Sequence, residues 1–197
     1  MLYDCNLVSE KLKSWRGYLD DYKLPDWDDI PDIGLYMEQV LILLKEYLDF
    51  LPPELKEEQF ITAATINNYV NKGFMPKPEK KKYYRVHIAY MIMICTLKRI
   101  LNIATVQQFI PMGISEDQVR EIYTKYAARH KMAANYFIEQ LKIIAGPMLY
   151  STDPEHEVAV DGTEDLITVT AVIGALSQIV AEKLLLLEGR TEEKTKE

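Results

Sequence analysis

The sequence predicts a mainly α-helical fold, and three observations support this prediction. Its 197 residues include only eight glycines and nine prolines, the residue types that interrupt helices. Hydrophobic residues make up 48% of the chain. They recur with helical periodicity over long segments, as they do in amphipathic helices. A chain of this length can bury one sizeable core, so we expect a helical bundle with long helices in its C-terminal region.

The N-terminal quarter predicts two amphipathic helices separated by an acidic linker at residues 20–32. The first helix lies within residues 1–20, where the apolar positions at helical spacing are Val8, Leu12, Trp15 and Leu19. The second spans residues 33–51 and ends before Pro52 and Pro53. Its predicted buried face consists of Tyr36, Val40, Leu43, Leu44, Tyr47 and Leu51.

The acidic linker is a poor calcium site. Asp26, Asp28 and Asp29 cluster there, but an EF-hand loop that began at Asp26 would need glycine and glutamate at its sixth and twelfth positions. Those positions hold Pro31 and Met37. We therefore expect no metal ion.

Residues 62–72 predict a short helix with one apolar and one polar side. Thr62 suits the N-cap, and Gly73 suits the left-handed residue that ends a helix. One side carries Ile66, Tyr69 and Val70, and the other carries Ala64, Asn67, Asn68 and Asn71. Asparagine can pair bidentately with adenine in the major groove. The polar side therefore predicts a DNA-recognition surface.

A basic turn follows this helix. Pro76 and Pro78 bar a continued helix, and Lys80, Lys81 and Lys82 precede Tyr83. The pattern predicts a short hairpin with a cationic tip. The alternative is that the lysine run is only a solvated turn.

The charge distribution favours the first interpretation of the turn. The whole chain carries a net charge of -7, yet residues 67–99 hold eight basic residues and one glutamate, a net +7 against -14 for the remainder. A positive surface on an acidic body directs that surface toward phosphates.

Residues 61–101 resemble the MerR-type winged-helix regulators. That family has a recognition helix of the form Thr-Leu/Ile-Arg-x-Tyr, then Gly-Leu-Leu-x-Pro, then a wing ending in Tyr-Arg-x-Tyr. The similar stretches here are Thr65-Ile66-Asn67-Asn68-Tyr69, Gly73-Phe74-Met75-Pro76 and Tyr84-Arg85-Val86-His87. The resemblance implies a MerR-like winged helix-turn-helix embedded in the helical bundle. It also implies a phosphate contact for His87, although a structural histidine at a helix start is an equal alternative.

A wider resemblance covers most of the chain. Residues 24–40, 66–70 and 80–83 together are similar to an uncharacterised bacterial family, a domain of unknown function of about this length. That resemblance implies a single structural unit and supplies no mechanism.

Three helical segments are predicted after the turn. Residues 87–101 are apolar nearly all round, which indicates a central buried helix, and Cys95 within it is expected to be a core residue. Thr105 and Gln108 have the spacing of a capping box before a short helix. Ser115 and Gln118 have the same spacing at the start of a long helix that ends near Ala145. The apolar positions of the long helix suit core packing or a dimer seam equally: Val119, Tyr123, Tyr126, Ala133, Phe137 and Ile144.

The C-terminal segment predicts one more helix, at residues 164–187, followed by a charged, disordered tail. Its uncharged run, residues 166–181, raises the alternative of a membrane anchor. That run is shorter than a membrane span and contains polar residues, so a buried bundle or dimer helix is favoured.

The sequence excludes several functional classes. It contains no glycine-rich phosphate loop, and the three histidines have no carboxylate or cysteine partners at ligand spacing. The two cysteines match no zinc site, and no signal peptide opens the chain. We expect a cytoplasmic protein that is not an enzyme and has no cofactor.

The sequence therefore predicts a sequence-specific DNA-binding transcriptional regulator. Residues 1–111 would form the N-terminal helices and winged-helix region, 112–188 a helical dimerisation and effector region, and 189–197 the disordered tail. The expected partners are double-stranded DNA, a second copy of the chain and a small-molecule effector. The predicted DNA-binding residues are Thr65, Asn67, Asn68, Tyr69, Asn71, Lys72, Lys80, Lys81, Lys82, Tyr84, Arg85 and His87.

The competing hypothesis is a protein-binding adaptor whose winged helix has lost DNA binding. It is favoured by the acidic body and by Asn67, which stands where the MerR-type regulators have arginine.

Overall fold

The computed structural model describes residues 22–48, 61–99 and 101–144, together with the isolated residues 166, 170, 173, 174 and 178. A 3₁₀ turn at Trp27–Asp29 precedes five α-helices in the three continuous segments. The helices are α1 at Met37–Leu48, α2 at Ala63–Asn71, α3 at Arg85–Leu97, α4 at Ile103–Phe109 and α5 at Glu116–Ile144. These segments contain no β-strand, so the prediction of a mainly helical fold is confirmed.

Helix α3 forms the centre of the core. Its residues His87 to Cys95 are all buried, because neighbouring elements cover every side of the helix. Helices α1, α4 and α5 all pack against it. The predicted central buried helix is confirmed, and so is the burial of Cys95, which raises the pKa of its thiol to about 12.

Helix α1 begins later than the sequence predicts. The chain is extended at Leu35, which pairs with Tyr83, and the helix starts at Met37. Tyr36 therefore precedes the helix and is 55% exposed, so its predicted burial is wrong. Val40 and Leu44 are buried as predicted, whereas Leu43 and Tyr47 are half-buried, and Leu48, which the prediction left out, is buried instead.

The start of α4 is also displaced from the prediction. Asn102 caps the helix by accepting a hydrogen bond from the Thr105 amide at 3.0 Å. The predicted box at Thr105 and Gln108 is wrong, because Thr105 lies inside the first turn. At α5 the predicted capping box is confirmed, since Ser115 N donates to Gln118 Oε1 at 3.0 Å and Gln118 N donates to Ser115 Oγ at 3.3 Å.

The first half of α5 is tied to the core. Val119 and Tyr123 are buried, and the Tyr123 hydroxyl donates to the Pro25 carbonyl at 2.8 Å. Tyr126 and Thr96 join α5 to α3 through their hydroxyl groups. In the second half Ala133 and Phe137 are exposed.

Several predicted features lie outside the described residues: the helix within residues 1–20, Leu51, the end of the long helix near Ala145, most of residues 164–187 and the tail. The five isolated residues near the C-terminus include Leu166, which is helical and buried. The domain boundary after residue 111 stays a prediction. Among the described helices, none has the length and apolar character needed to cross a bilayer.

Candidate nucleic-acid interface

Helix α2 is capped at both ends as predicted. Thr62 Oγ1 accepts from the Thr65 amide at 3.2 Å. Gly73 has a φ of 71°, its amide donates to Val70 O at 3.1 Å, and Phe74 N donates to Tyr69 O at 2.8 Å. These two bonds form a Schellman motif, and the contact between the Tyr69 and Phe74 rings is the apolar contact that accompanies it. The cap residues therefore fix both limits of this short helix.

The two sides of α2 differ as the sequence predicts. Ile66 and Tyr69 are buried, whereas Asn67, Asn68 and Asn71 are exposed. Lys72, which follows the helix, is exposed too, and Ala64 lies on the same open side. Thr65 is half-buried, and its hydroxyl bonds that of Thr62 at 3.0 Å.

Tyr69 belongs to the core rather than to the open side of α2. Its side chain is 3% exposed, and burial raises the pKa of its phenol to about 12. Lys98 Nζ lies 5.6 Å from the centre of its ring. Tyr69 therefore positions α2 against the end of α3.

Residues 79–82, here called the lysine turn, form a two-residue hairpin. Glu79 N donates to Lys82 O at 3.0 Å, and Lys82 N donates to Glu79 O at 2.8 Å. Lys80 and Lys81 have φ values of 48° and 67° and are exposed. Positive φ at both central residues is the type I′ geometry, in which asparagine and glycine are preferred over lysine. The tip therefore presents two cations in a backbone conformation that is costly for lysine.

The lysine turn is anchored to the chain that precedes α1, a contact that no pattern in the sequence predicts. Leu35 N donates to Tyr83 O at 2.9 Å, and Tyr83 N donates to Leu35 O at 2.8 Å. A Cβ on Gly34 would lie 2.8 Å from Lys82 Cδ and 3.1 Å from Tyr84 Cζ, so glycine permits this close approach. Single-residue pairings of this kind leave no periodic signal in a sequence.

Lys82 and Tyr84 lie at the base of the turn rather than at its tip. Both are half-buried. Lys82 Nζ lies 5.6 Å from the centre of the Tyr36 ring, which places its cation over an exposed aromatic side chain. These residues connect the turn to the body of the protein.

Arg85 is held inside the chain by three groups. Its Nε donates to the Ile30 carbonyl at 2.8 Å, and its guanidinium lies 5.8 Å from the centre of the Trp27 ring. Its Nη1 lies 3.8 Å from Asp28 Oδ1, and its side chain is 17% exposed. Arg85 therefore joins the start of α3 to the 3₁₀ turn.

Both ring nitrogens of His87 are used within the chain. Nδ1 accepts from the Tyr84 amide at 3.0 Å, so the proton of the neutral ring lies on Nε2, which is 3.0 Å from the Lys77 carbonyl. The side chain is buried. This geometry is that of a structural histidine, one of the two alternatives that the sequence leaves open.

The described region is a helical domain with a polar helix face and an anchored basic turn. The chain belongs to the DUF1836 family, a domain of unknown function whose model matches residues 25–144. The match includes all five helices and the lysine turn, and it confirms the predicted membership of an uncharacterised family. No curated protein and no solved structure matches the chain.

Proposed function

We propose that the protein is a sequence-specific DNA-binding transcriptional regulator. The observation that carries the proposal is the open side of α2, where Asn67, Asn68 and Asn71 are exposed on a helix with a firm cap at each end. Exposed amides on a rigid helix can read base edges in the major groove. Lys72 at the end of that helix would contact the backbone.

The lysine turn supplies the second part of the interface. Lys80 and Lys81 are exposed at its tip and would bind phosphates or enter the minor groove. The turn is continuous with α3 through Tyr83 and Tyr84, and the end of α3 contacts α2, since Lys98 Nζ lies 5.6 Å from the centre of the Tyr69 ring.

The finer proposal is a MerR-like winged helix-turn-helix. In this arrangement α1 is the supporting helix, α2 the recognition helix and the lysine turn a short wing. Two features support it: α1 packs against α2, and the chain before α1 pairs with Tyr83 at the base of the turn.

The predicted site residues divide into two groups under this proposal. Six exposed residues would contact DNA: Asn67, Asn68, Asn71, Lys72, Lys80 and Lys81. The others position them: Thr65, Tyr69, Lys82, Tyr84, Arg85 and His87.

The proposed regulator acts as a homodimer. The second half of α5 exposes a set of large apolar side chains that suits a subunit contact, namely Met132, Tyr136 and Phe137. A dimer would place two copies of α2 on a symmetric DNA site.

The second candidate function is a protein-binding adaptor. Its specific support is that Arg85 and His87, both among the predicted DNA-binding residues, bond to groups of their own chain. Fewer phosphate contacts would weaken DNA affinity.

Genomic DNA selection tests the proposal. The full-length protein should retain a defined set of fragments at low salt, and sequencing should reveal a shared site. Absence of retained DNA, together with a specific protein partner in a pull-down, would support the adaptor instead.

The lysine turn is tested by the salt dependence of binding to the selected site. The variant K80A/K81A should reduce the slope of log K against log salt by about 2, because each phosphate contact contributes about 0.9. Lys82 is left intact because it is half-buried. K45A/K125A removes two exposed lysines elsewhere and is the matched control. Equal slopes for wild type and K80A/K81A would rule out the turn as a DNA contact.

A further inference from the structure

A cavity lies between residues 23–28 and the middle of α5, away from the polar side of α2. Its volume is about 440 Å³, within the range of small-molecule sites. It is partly open to solvent. No residue of the proposed DNA interface lines it.

The floor of the cavity is apolar and fixed in place. Leu24 and Trp27 are buried there, and the Trp27 ring packs on Tyr123, whose hydroxyl holds the Pro25 carbonyl. Ala127 and Ala128 form the facing wall on α5. Their small side chains leave room for a planar or apolar group.

The rim carries more positive than negative charge. Its acidic residues are each paired, Asp26 with Lys23 at 3.9 Å and Asp28 with Arg120 at 3.2 Å. Lys131 also lines the cavity and makes no ion pair within the described segments. Among the residues that the structure describes, Lys131 is therefore the cavity cation whose charge no carboxylate offsets, whereas Arg120 lies about three turns before it on α5 and is paired with Asp28.

We propose that this cavity binds a small organic anion with an apolar body. The anionic group, a carboxylate or a phosphate, contacts Lys131, and the apolar body lies on Leu24 and Trp27. An ammonium binds either anionic group through charge-assisted hydrogen bonds. Binding at this site does not depend on the proposed DNA function, so a failure of either leaves the other standing.

Two-dimensional NMR of the full chain tests the site. Phenyl phosphate and benzoate are the anionic probes, benzamide is the neutral one, and the readout is the indole N–H signal of Trp27. Trp15→Phe identifies that signal, since the chain has two tryptophans. At least one anionic probe should shift it saturably in the millimolar range expected for so small a ligand. The stronger of the two anions identifies the phosphate or the carboxylate as the preferred group.

Lys131→Gln should weaken the binding of that anion about fivefold, as expected for one charge-assisted contact at a partly exposed site. Lys125→Gln is the matched control, because Lys125 is exposed on the same helix and pairs with Glu121 outside the cavity. Three results would overturn the proposal: no saturable shift with either anion, equal affinity for benzamide, or unchanged affinity in Lys131→Gln. Inorganic phosphate should bind more weakly than phenyl phosphate, and equal affinity would remove the apolar body from the proposal.

Discussion

At the scale of single residues, some side chains that a motif assigns to DNA contact also bond or pack within their own chain. Tyr69, Arg85 and His87 all fit a MerR-like motif, yet each is bonded or packed within the chain. A motif compares residue types in order, and it does not distinguish a side chain that contacts a ligand from one that positions its neighbour.

His87 provides a direct test of this distinction. Replacing it with alanine removes bonds to the Tyr84 amide and the Lys77 carbonyl and leaves both groups without this partner. We expect His87→Ala to lower the free energy of unfolding by about 2 kcal/mol, measured by urea denaturation. Where the variant remains folded, its salt slope for DNA should equal that of wild type. A reduced slope with normal stability would make His87 a phosphate contact after all.

His130 predicts a pH dependence of stability. Its ring lies between Tyr22 and Tyr126, and its buried Nδ1 has no hydrogen-bond partner in the described part of the chain. Burial lowers the pKa of His130 below its ordinary value of 6.5, so the unfolded state binds more protons between the two values. The contribution of His130 to the free energy of unfolding should therefore fall as the pH drops from 6.5 to the pKa of the folded state. Below that pKa this contribution should stay constant.

The measurement compares wild type with His130→Gln, which cannot titrate. Urea denaturation at several pH values gives the difference between their free energies of unfolding. The carboxylates are common to both proteins, so their contribution cancels in this difference. A difference that stays constant across this window would contradict the prediction.

At the scale of elements, the lysine turn combines strain with exposure. Two lysines occupy left-handed positions for which asparagine and glycine are better suited. Backbone strain that persists in a native structure often marks a functional site. The turn is thus a place where stability and the proposed DNA contact should conflict.

This conflict is testable with the variant K80N/K81G. The exchange should raise the free energy of unfolding by about 1 kcal/mol, because the new residues suit the type I′ turn. It should also lower DNA affinity and reduce the salt slope, because two phosphate contacts are lost. A variant that gains stability and keeps full DNA binding would show that the lysines are only a solvated turn.

The elements also show what could be predicted from the sequence. Thr62 and Gly73 set the two limits of α2 through hydrogen bonds to nearby residues, and the uninterrupted apolar run identified α3 as the central helix. The predicted start of α4 is wrong because Asn102 and Thr105 are both good N-cap residues, and the sequence alone does not show which of them caps the helix. In the structure it is Asn102. Local signals also failed at Tyr36, whose exposure follows from the distant pairing of Leu35 with Tyr83.

At the scale of the whole molecule, one network connects separate parts of the chain. Asp28 pairs with both Arg120 of α5 and Arg85 of α3, and Arg85 also contacts Trp27. The sequence shows an acidic linker there, but not its partners, because Arg120 lies 92 residues from Asp28. The cavity described above is bordered by this network, and no local motif indicates it.

The proposed homodimer would use the second half of α5, which exposes large apolar side chains although Ile138 in the same half is buried. Met132 and Tyr136 are one helical turn apart and are 68% and 67% exposed. If they form the subunit contact, Tyr136→Glu should raise the dimer dissociation constant about tenfold or more, as for loss of a buried interface tyrosine. Analytical ultracentrifugation measures that constant, and Ile42→Glu is the control because Ile42 is equally exposed on α1. A monomeric wild type, or equal weakening of the dimer by both variants, would exclude this surface as the dimer contact. If Tyr136→Glu alone weakens the dimer, it should also reduce affinity for a two-fold symmetric DNA site.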